Sequence, residues 1–360
     1  MPWRAAITGR ALHGAWPGGV RGLRAACARG GQGPTPLPSP PALPGHALRG
    51  VRLAAEPPLR LDDAAERVLG RHGRWLLAVA REAHAEAGLH AWPREQVGLC
   101  VALGMVDPDA EDLAAAVAAS RAGDGSLSLE RFHAGGFRAM HPLWPLSMLG
   151  NVAAGQVAID LDLRGDNTVL ASDGSAGVRV LLEARRALQA GAAGAVLAAA
   201  ASEPLTPARA ARLALAGPAA AWCEPGEGAA ALVLEPEASA AARGARVAGW
   251  LVGAAACHGL EGEPASALLG RAVQGALSEA GWQPGEAGHV VRVGSVSAAS
   301  LGRLGLHAPA TAPGEAVGDL LGAAPLLATA LAVECGAPRV LVVHAEGSRA
   351  AGALAVEVAA

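Results

Sequence analysis

The sequence contains no tyrosine, no lysine and only 2 phenylalanines. Its hydrophobic fraction of 52% rests on alanine, valine and leucine, and its positive charge on arginine, a bias that reflects GC-rich coding more than structural demand. Charge is sparse. With 17% charged residues and a formal net charge of −3, no basic face for nucleic acid is expected, and no nucleic-acid partner. Cysteine is sparse too. Cys27, Cys100, Cys223, Cys257 and Cys335 are scattered, odd in number and without Cys-x-x-Cys spacing, which argues against a disulfide framework and fits a reducing cytosol. No cofactor and no metal are expected. Arginines interrupt the N-terminal region and no long apolar stretch follows, so no secretory leader is expected. The most apolar runs, 194–201 and 323–333, fall short of the ~20 residues of a bilayer span. The expected location is cytoplasmic.

At 360 residues the chain is long enough for one large two-part domain or two ordinary ones. An internal repeat favours similar halves. Apolar positions at helical spacing (Trp75, Leu76, Val79, Ala83) lead to Glu86-Ala87-Gly88-Leu89; a proline and a glutamate follow, then the apolar run 97–103. The order recurs. A helix from Ala265 closes on Glu279-Ala280-Gly281-Trp282, then come Pro284, Glu286 and the run 290–293. Helix-end glutamates and strand starts are both 193 apart (279 − 86 and 290 − 97). The glycine after each helix suits the left-handed C′ position. Continuously apolar runs at 195–199 and 339–343 read as strands buried on both faces. The expected fold class is α/β, with two similar halves, 1–236 and 237–360, each built on a central mixed sheet between helical layers.

The proline-rich stretch 33–44 cannot be helix or central strand and reads as an exposed extended loop. Residues 121–131 read as a second loop. Residues 167–188 read as a strand, a turn of small residues and a helix, with Asp173 at the tip of the turn. A carboxylate at a helix N-terminus caps it, worth roughly 0.5–2 kcal/mol. Ser172 and Ser175 flank that turn without a Gly-x-Ser-x-Gly pattern or a visible base.

Several stretches resemble the β-ketoacyl synthases and, within them, the cysteine-less partner subunits called chain length factors. Ala6-Ile7-Thr8-Gly9 is similar to the family's opening strand, and Glu224-Pro225-Gly226-Glu227-Gly228-Ala229 with the run 231–235 is nearly identical to its signature there. The segment from His141 to Ile159 resembles the helix before the nucleophile elbow, and Arg164-Gly165-Asp166-Asn167-Thr168 the turn leading into the elbow strand. The resemblance implies a thiolase-like fold layered α-β-α-β-α, and it implies that the chemistry is gone. Asp173 stands at the place of the nucleophilic cysteine. Val293, before Gly294-Ser295, stands at the place of the first catalytic histidine and Asp319 at that of the second. Gly314 stands where a lysine is usual, and Gly347-Ser348-Arg349-Ala350 resembles the family's C-terminal glycine loop without its phenylalanine.

Condensation needs a thiolate to carry the acyl group and imidazoles to polarise the malonyl thioester. A valine supplies neither donor nor charge, and an anionic Asp319 opposes a developing enolate. The resemblance therefore implies a non-catalytic subunit that pairs with an active ketosynthase and meets an acyl carrier protein through the complex. Trp144, Met148, Gly155, Val169 and Asp173 are then the candidates for the acyl tunnel and the subunit interface. Two other readings stay open: a divergent acyltransferase or decarboxylase, and a degenerate scaffold or carrier-docking module. Ordinary roles compete at each position. Asp319 can simply start a helix, Cys100 can be a buried small hydrophobe, and Cys223 a loop residue. Cys257 and His258, adjacent on a strand, point to opposite faces and cannot pair. His141 and His344 can line a cavity or be structural.

Overall fold

The computed structural model describes residues 2–359 except 32, 34, 37–48, 104–109, 172–173, 207 and 210–223. Asp173, Ser172, Cys223 and most of the proline-rich stretch lie outside the described residues. Within that stretch, exposed Thr35–Pro36 (β2) pairs with Arg49–Gly50 (β3), which lies beyond it and whose Gly50 is buried.

The main sheet takes its strands from both halves. The first half supplies β1 (Ala5–His13), β4 (Val97–Leu103), β5 (Asn167–Ala171), β6 (Ala195–Ser202) and β7 (Gly228–Pro236). The second supplies β8 (Gly249–His258), β9 (His289–Gly294), β10 (Ala310–Thr311), β11 (Arg339–Glu346) and β12 (Ala350–Val358). Their spatial order is β5-β4-β6-β7-β1 and then, in the mirrored sense, β8-β12-β11-β9-β10. In each half the outer strands are parallel and the inner ones antiparallel, a mixed sheet. The two sheets expected from the repeat are continuous rather than separate, because Ala5, Ala6 and Ile7 pair with Leu251, Trp250 and Gly249.

Seven helices position the rest: α1 (Gly19–Arg29), α2 (Arg71–Ala87), α3 (Gly150–Asp160), α4 (Ser175–Gln189), α5 (Ala265–Ala280), α6 (Pro313–Val317) and α7 (Ala324–Ala332). Three apolar cores show the layering. Leu76, Val79 and Ala83 of α2 pack with Leu99, Val101 and Leu197 on one outer face. Leu268, Ala272 and Ala276 of α5 pack with Leu341, Val343 and Ala353 on the other. Between them, Val178 and Leu181 of α4 and Leu327 of α7 share a core with Ala198, Val291 and Val342. Strand alternation explains the partition: odd positions of β4 face α2, while Cys100 and Ala102 face the centre.

The repeat is exact in its details. Gly88 and Gly281 cap α2 and α5 with φ of 64° and 70°. Glu86 accepts the backbone N–H of Arg10 beside a bulge in β1, and Glu279 accepts that of Ala254 beside a bulge in β8. Gly9 lies against the Ala83 carbonyl and Gly253 against that of Ala276, so a Cβ on either would lie within 2.3 Å of it.

Two local expectations fail. The 121–131 loop ends early, because Ser128 caps a short helix, Leu129–Ala134, by accepting from the Arg131 N–H. The segment from His141 to Ile159, read as one helix, is two elements, a 3₁₀ turn Trp144–Met148 and then α3. Pro145 opens the 3₁₀ turn, and Leu149 between the elements is extended (φ −85°, ψ 110°). No helix among the described residues is long and apolar enough to cross a membrane.

Candidate functional site

The central layer brings Val293 and Asp319 to one cleft and seats the start of α4 on β11. On β11, residues 340 and 342 face the central core, so His344 and Glu346 continue along that face and arrive beneath the start of α4. Gly174 sits directly on them: a Cβ there would lie 2.3 Å from His344 Nε2 and 3.1 Å from Glu346 Oε1. The Ser175 N–H donates to Glu346 Oε1 at 3.1 Å, which places a carboxylate at the positive end of the α4 dipole. Neither His344 nor Glu346 is suggested by the local sequence as a partner of the turn, which lies some 170 residues earlier in the chain (346 − 175 = 171).

Val293 lies in register with His344 on the neighbouring parallel strand. The imidazole at 344 therefore stands one strand away from the position where the resemblance places one. It is only 1% exposed, and burial pulls it down to about 4, so it is neutral at pH 7. Its Nδ1 has no hydrogen-bond partner among the described residues.

Asp319 is fixed on three sides. Its N–H donates to the Glu224 carbonyl (2.7 Å), its carbonyl accepts from Gly226 (2.9 Å), and its carboxylate accepts the Leu321 N–H (2.9 Å). The last bond opens the 3₁₀ turn Leu321–Ala323 that runs into α7. The Glu-Pro-Gly-Glu signature is thus the cradle of residue 319. Glu227 at its end is buried, accepts from the Leu53 N–H (3.1 Å) and pairs with Arg71 (3.3 Å).

Val293 and Asp319 line one cleft of about 480 Å³, counted to open solvent, with Arg292, Gly314, Glu315 and Leu327 among its walls. Arg292 and Glu315 form an ion pair in that wall. None of the residues lining the cleft is a cysteine or a histidine. Cys100 is buried in β4, and burial pushes its thiol up to about 12; those of Cys27 and Cys335 go to about 11 for the same reason. Cys257 and His258 end β8 next to one another on the strand. Among the described residues, no group of three His, Cys, Asp or Glu could hold a metal ion.

Of the tunnel and interface candidates, Trp144, Met148, Gly155 and Val169 are not among the residues lining this cleft, and Asp173 lies outside the described residues. Trp144 and Met148 are half-buried on the 3₁₀ turn. On α3, Ala154 is buried, whereas a Cβ on Gly155 would meet nothing within 4 Å. Val169 is half-buried on β5, which among the described residues pairs with β4 alone, its other edge unpaired. Leu143, Leu149 and Ile159, the last 72% exposed, add apolar surface on and around α3. His141 is exposed, and its Nδ1 accepts from the Leu143 N–H.

Residues 60–240 match the family model "Beta-ketoacyl synthase, N-terminal domain". Over 263 residues the chain is 32% identical to the "Putative polyketide beta-ketoacyl synthase 2" of Streptomyces coelicolor, a match covering 64% of this chain and 62% of that relative. The chain thus spans about three fifths of that relative's length. Among solved structures it resembles a β-ketoacyl synthase from Burkholderia phymatum (TM-score 0.82, 20% identity, 99% of this chain and 100% of that one). It also resembles the ishigamide ketosynthase/chain length factor (TM-score 0.78, 19% identity, all of both chains). A third is a type II acyl-carrier protein in complex with its ketosynthase bound to the hexaketide (TM-score 0.77, 18% identity, all of both chains). At these identities the likeness is one of fold, the thiolase-like α/β architecture. Taken with the sequence match over half its length, it shows that the chain belongs to the β-ketoacyl synthase family.

Proposed function

We propose that this chain is a non-catalytic, chain-length-factor-like subunit that pairs with an active ketosynthase in type II polyketide or polyene chain elongation. The observation that carries the reading is the cleft of Val293 and Asp319, whose described lining residues include neither a cysteine nor a histidine. The free edge of β5 and the exposed apolar side chains around α3 supply a surface for the partner, and Trp144, Met148, Gly155 and Val169 then lie where side-chain volume bounds the acyl tunnel. The halves 1–236 and 237–360 act as one scaffold, with the elbow helix α4 between them.

The test is expression of the chain alone and together with a ketosynthase that has an intact cysteine and two histidines. A stable, soluble complex that elongates a carrier-bound chain, with neither protein sufficient alone, supports the reading. Full activity of the ketosynthase without this chain contradicts it.

One observation favours a second reading, in which the chain keeps acid–base chemistry of its own: the buried, neutral His344, in register with Val293 and seated under Gly174 at the start of α4. Acyl transfer or decarboxylation by the isolated chain, abolished by His344→Phe, would establish it instead.

A further inference from the structure

The cleft of Val293 and Asp319 has a polarity that suits a ligand of its own. Val293, Leu320, Ala324 and Leu327 give it apolar walls. Its volume of about 480 Å³, counted to open solvent, suits a small molecule rather than a peptide. Among its described lining residues, the polar side chains are those of Arg292, Glu315 and Asp319.

Of these the arginine alone can donate, and it is engaged in the wall. Its Nη1 donates to the Val296 carbonyl (3.0 Å) and its Nη2 to Glu315. The same contact neutralises Glu315. Asp319 therefore sets the sign of the cleft.

Asp319 is also a preorganised acceptor. It is buried, and bonds to the Glu224 carbonyl, the Gly226 N–H and the Leu321 N–H fix both its backbone and its carboxylate. Little ordering is left for a ligand to impose. An ionised carboxylate only accepts, so a group that meets it must donate. A charged donor is favoured over a neutral one, because charge-assisted hydrogen bonds are roughly twice as strong. An anion would be repelled, and apolar walls weaken the screening that water gives. A bare metal ion does not fit, since among the described residues no group of three His, Cys, Asp or Glu could hold one. The walls take a hydrocarbon body instead.

We propose that this cleft is a binding site for a compact organic cation, a primary ammonium on a short branched hydrocarbon body, with Asp319 as its acceptor. The inference goes beyond the subunit reading and holds whether or not the chain pairs with a ketosynthase. The experiment titrates the full chain at neutral pH and fixed ionic strength with three probes of nearly equal shape: isobutylammonium, isobutanol and isobutyrate. Ligand-observed NMR reads binding. The titrations are repeated on Asp319→Asn and on Glu66→Gln, which alters an exposed carboxylate that does not line the cleft. Circular dichroism checks the fold of each variant.

The ammonium is expected to bind saturably and at least tenfold more tightly than the alcohol, and isobutyrate not at all. Asp319→Asn should weaken the ammonium at least tenfold and close its gap to the alcohol, while Glu66→Gln matches the parent. Isobutyrate binding as tight as that of the ammonium overturns the proposal, as does a parent that shows no saturable ammonium binding. So does a folded Asp319→Asn with parent-like affinity, or an equal loss in Glu66→Gln. The three-probe comparison on the parent decides the matter by itself if Asp319→Asn does not fold.

Discussion

Gly226 and Gly318 meet backbone to backbone: a Cβ on Gly318 would lie 2.7 Å from the Cα of Gly226, and one on Gly226 would lie 2.4 Å from the Val317 carbonyl. This contact fixes the chain on which Asp319 sits, since the Gly226 N–H is also the donor to the Asp319 carbonyl. The Glu-Pro-Gly-Glu turn thus holds residue 319, an aspartate in this chain, through backbone contact alone.

Gly226→Ala tests that contact. The added methyl meets backbone, which cannot move aside as a side chain can, so a loss of roughly 1–3 kcal/mol is expected from overpacking. Urea denaturation reads it directly. Gly155→Ala is the matched control, with open space around the new methyl, and should leave the midpoint unchanged apart from a helix-propensity gain of up to about 1 kcal/mol.

His344 makes a pH-dependent prediction. Its ordinary value of 6.5 falls to about 4 in the fold, so between those values the unfolded chain takes up a proton that the folded chain refuses. Stability is then lost as pH falls from about 6.5 to about 4, by roughly 3 kcal/mol in all, and levels off below that. In His344→Phe this contribution disappears. The stability difference between parent and variant should therefore change by that amount across the window; a pH-independent difference would contradict the assignment of a buried neutral imidazole.

Much of this was legible in the sequence. The paired glutamates, glycine caps and strand starts at a common spacing announced two similar halves, because each half must solve the same problem of seating a helix on its first strand. The elbow strand and helix were legible for the same reason. His344 was named as a possible cavity residue, but its place with Glu346 under Gly174 was not legible, since strand register across the central layer brings both there from far along the chain. The break at Leu149 was also missed: apolar spacing runs through it, and only the Pro145 turn and the extended backbone reveal it.

The α3 face separates core packing from a tunnel wall. Ala154→Trp, at a buried site, should destabilise the isolated chain by roughly 1–3 kcal/mol. Gly155→Leu should not, because its side chain enters open space in this chain. In the assembled complex the same leucine is expected to shorten the product, measured by mass spectrometry on complexes verified as intact. Unchanged product length in every assembled α3 variant would remove this helix from the tunnel.

Val169→Asp addresses the free edge of β5. The isolated variant should fold, as Val169 is only half-buried, but pairing with the ketosynthase through an obligate interface above roughly 2,000 Å² should fail. Size-exclusion chromatography of the co-expressed pair checks this. Normal co-elution would place the interface elsewhere.

The central claim, that the family's scaffold is present without its condensing chemistry, is tested most directly by intact-protein mass spectrometry. The chain is incubated with acyl carrier protein and acyl-CoA donors, alone and in complex with a ketosynthase. The account predicts an acyl adduct on the ketosynthase and none on this chain, with Asp173→Cys alone creating no synthase because positions 293 and 319 still lack histidine. A stable acyl adduct on this chain, mapped to Cys100, Cys223 or Cys257, would contradict it.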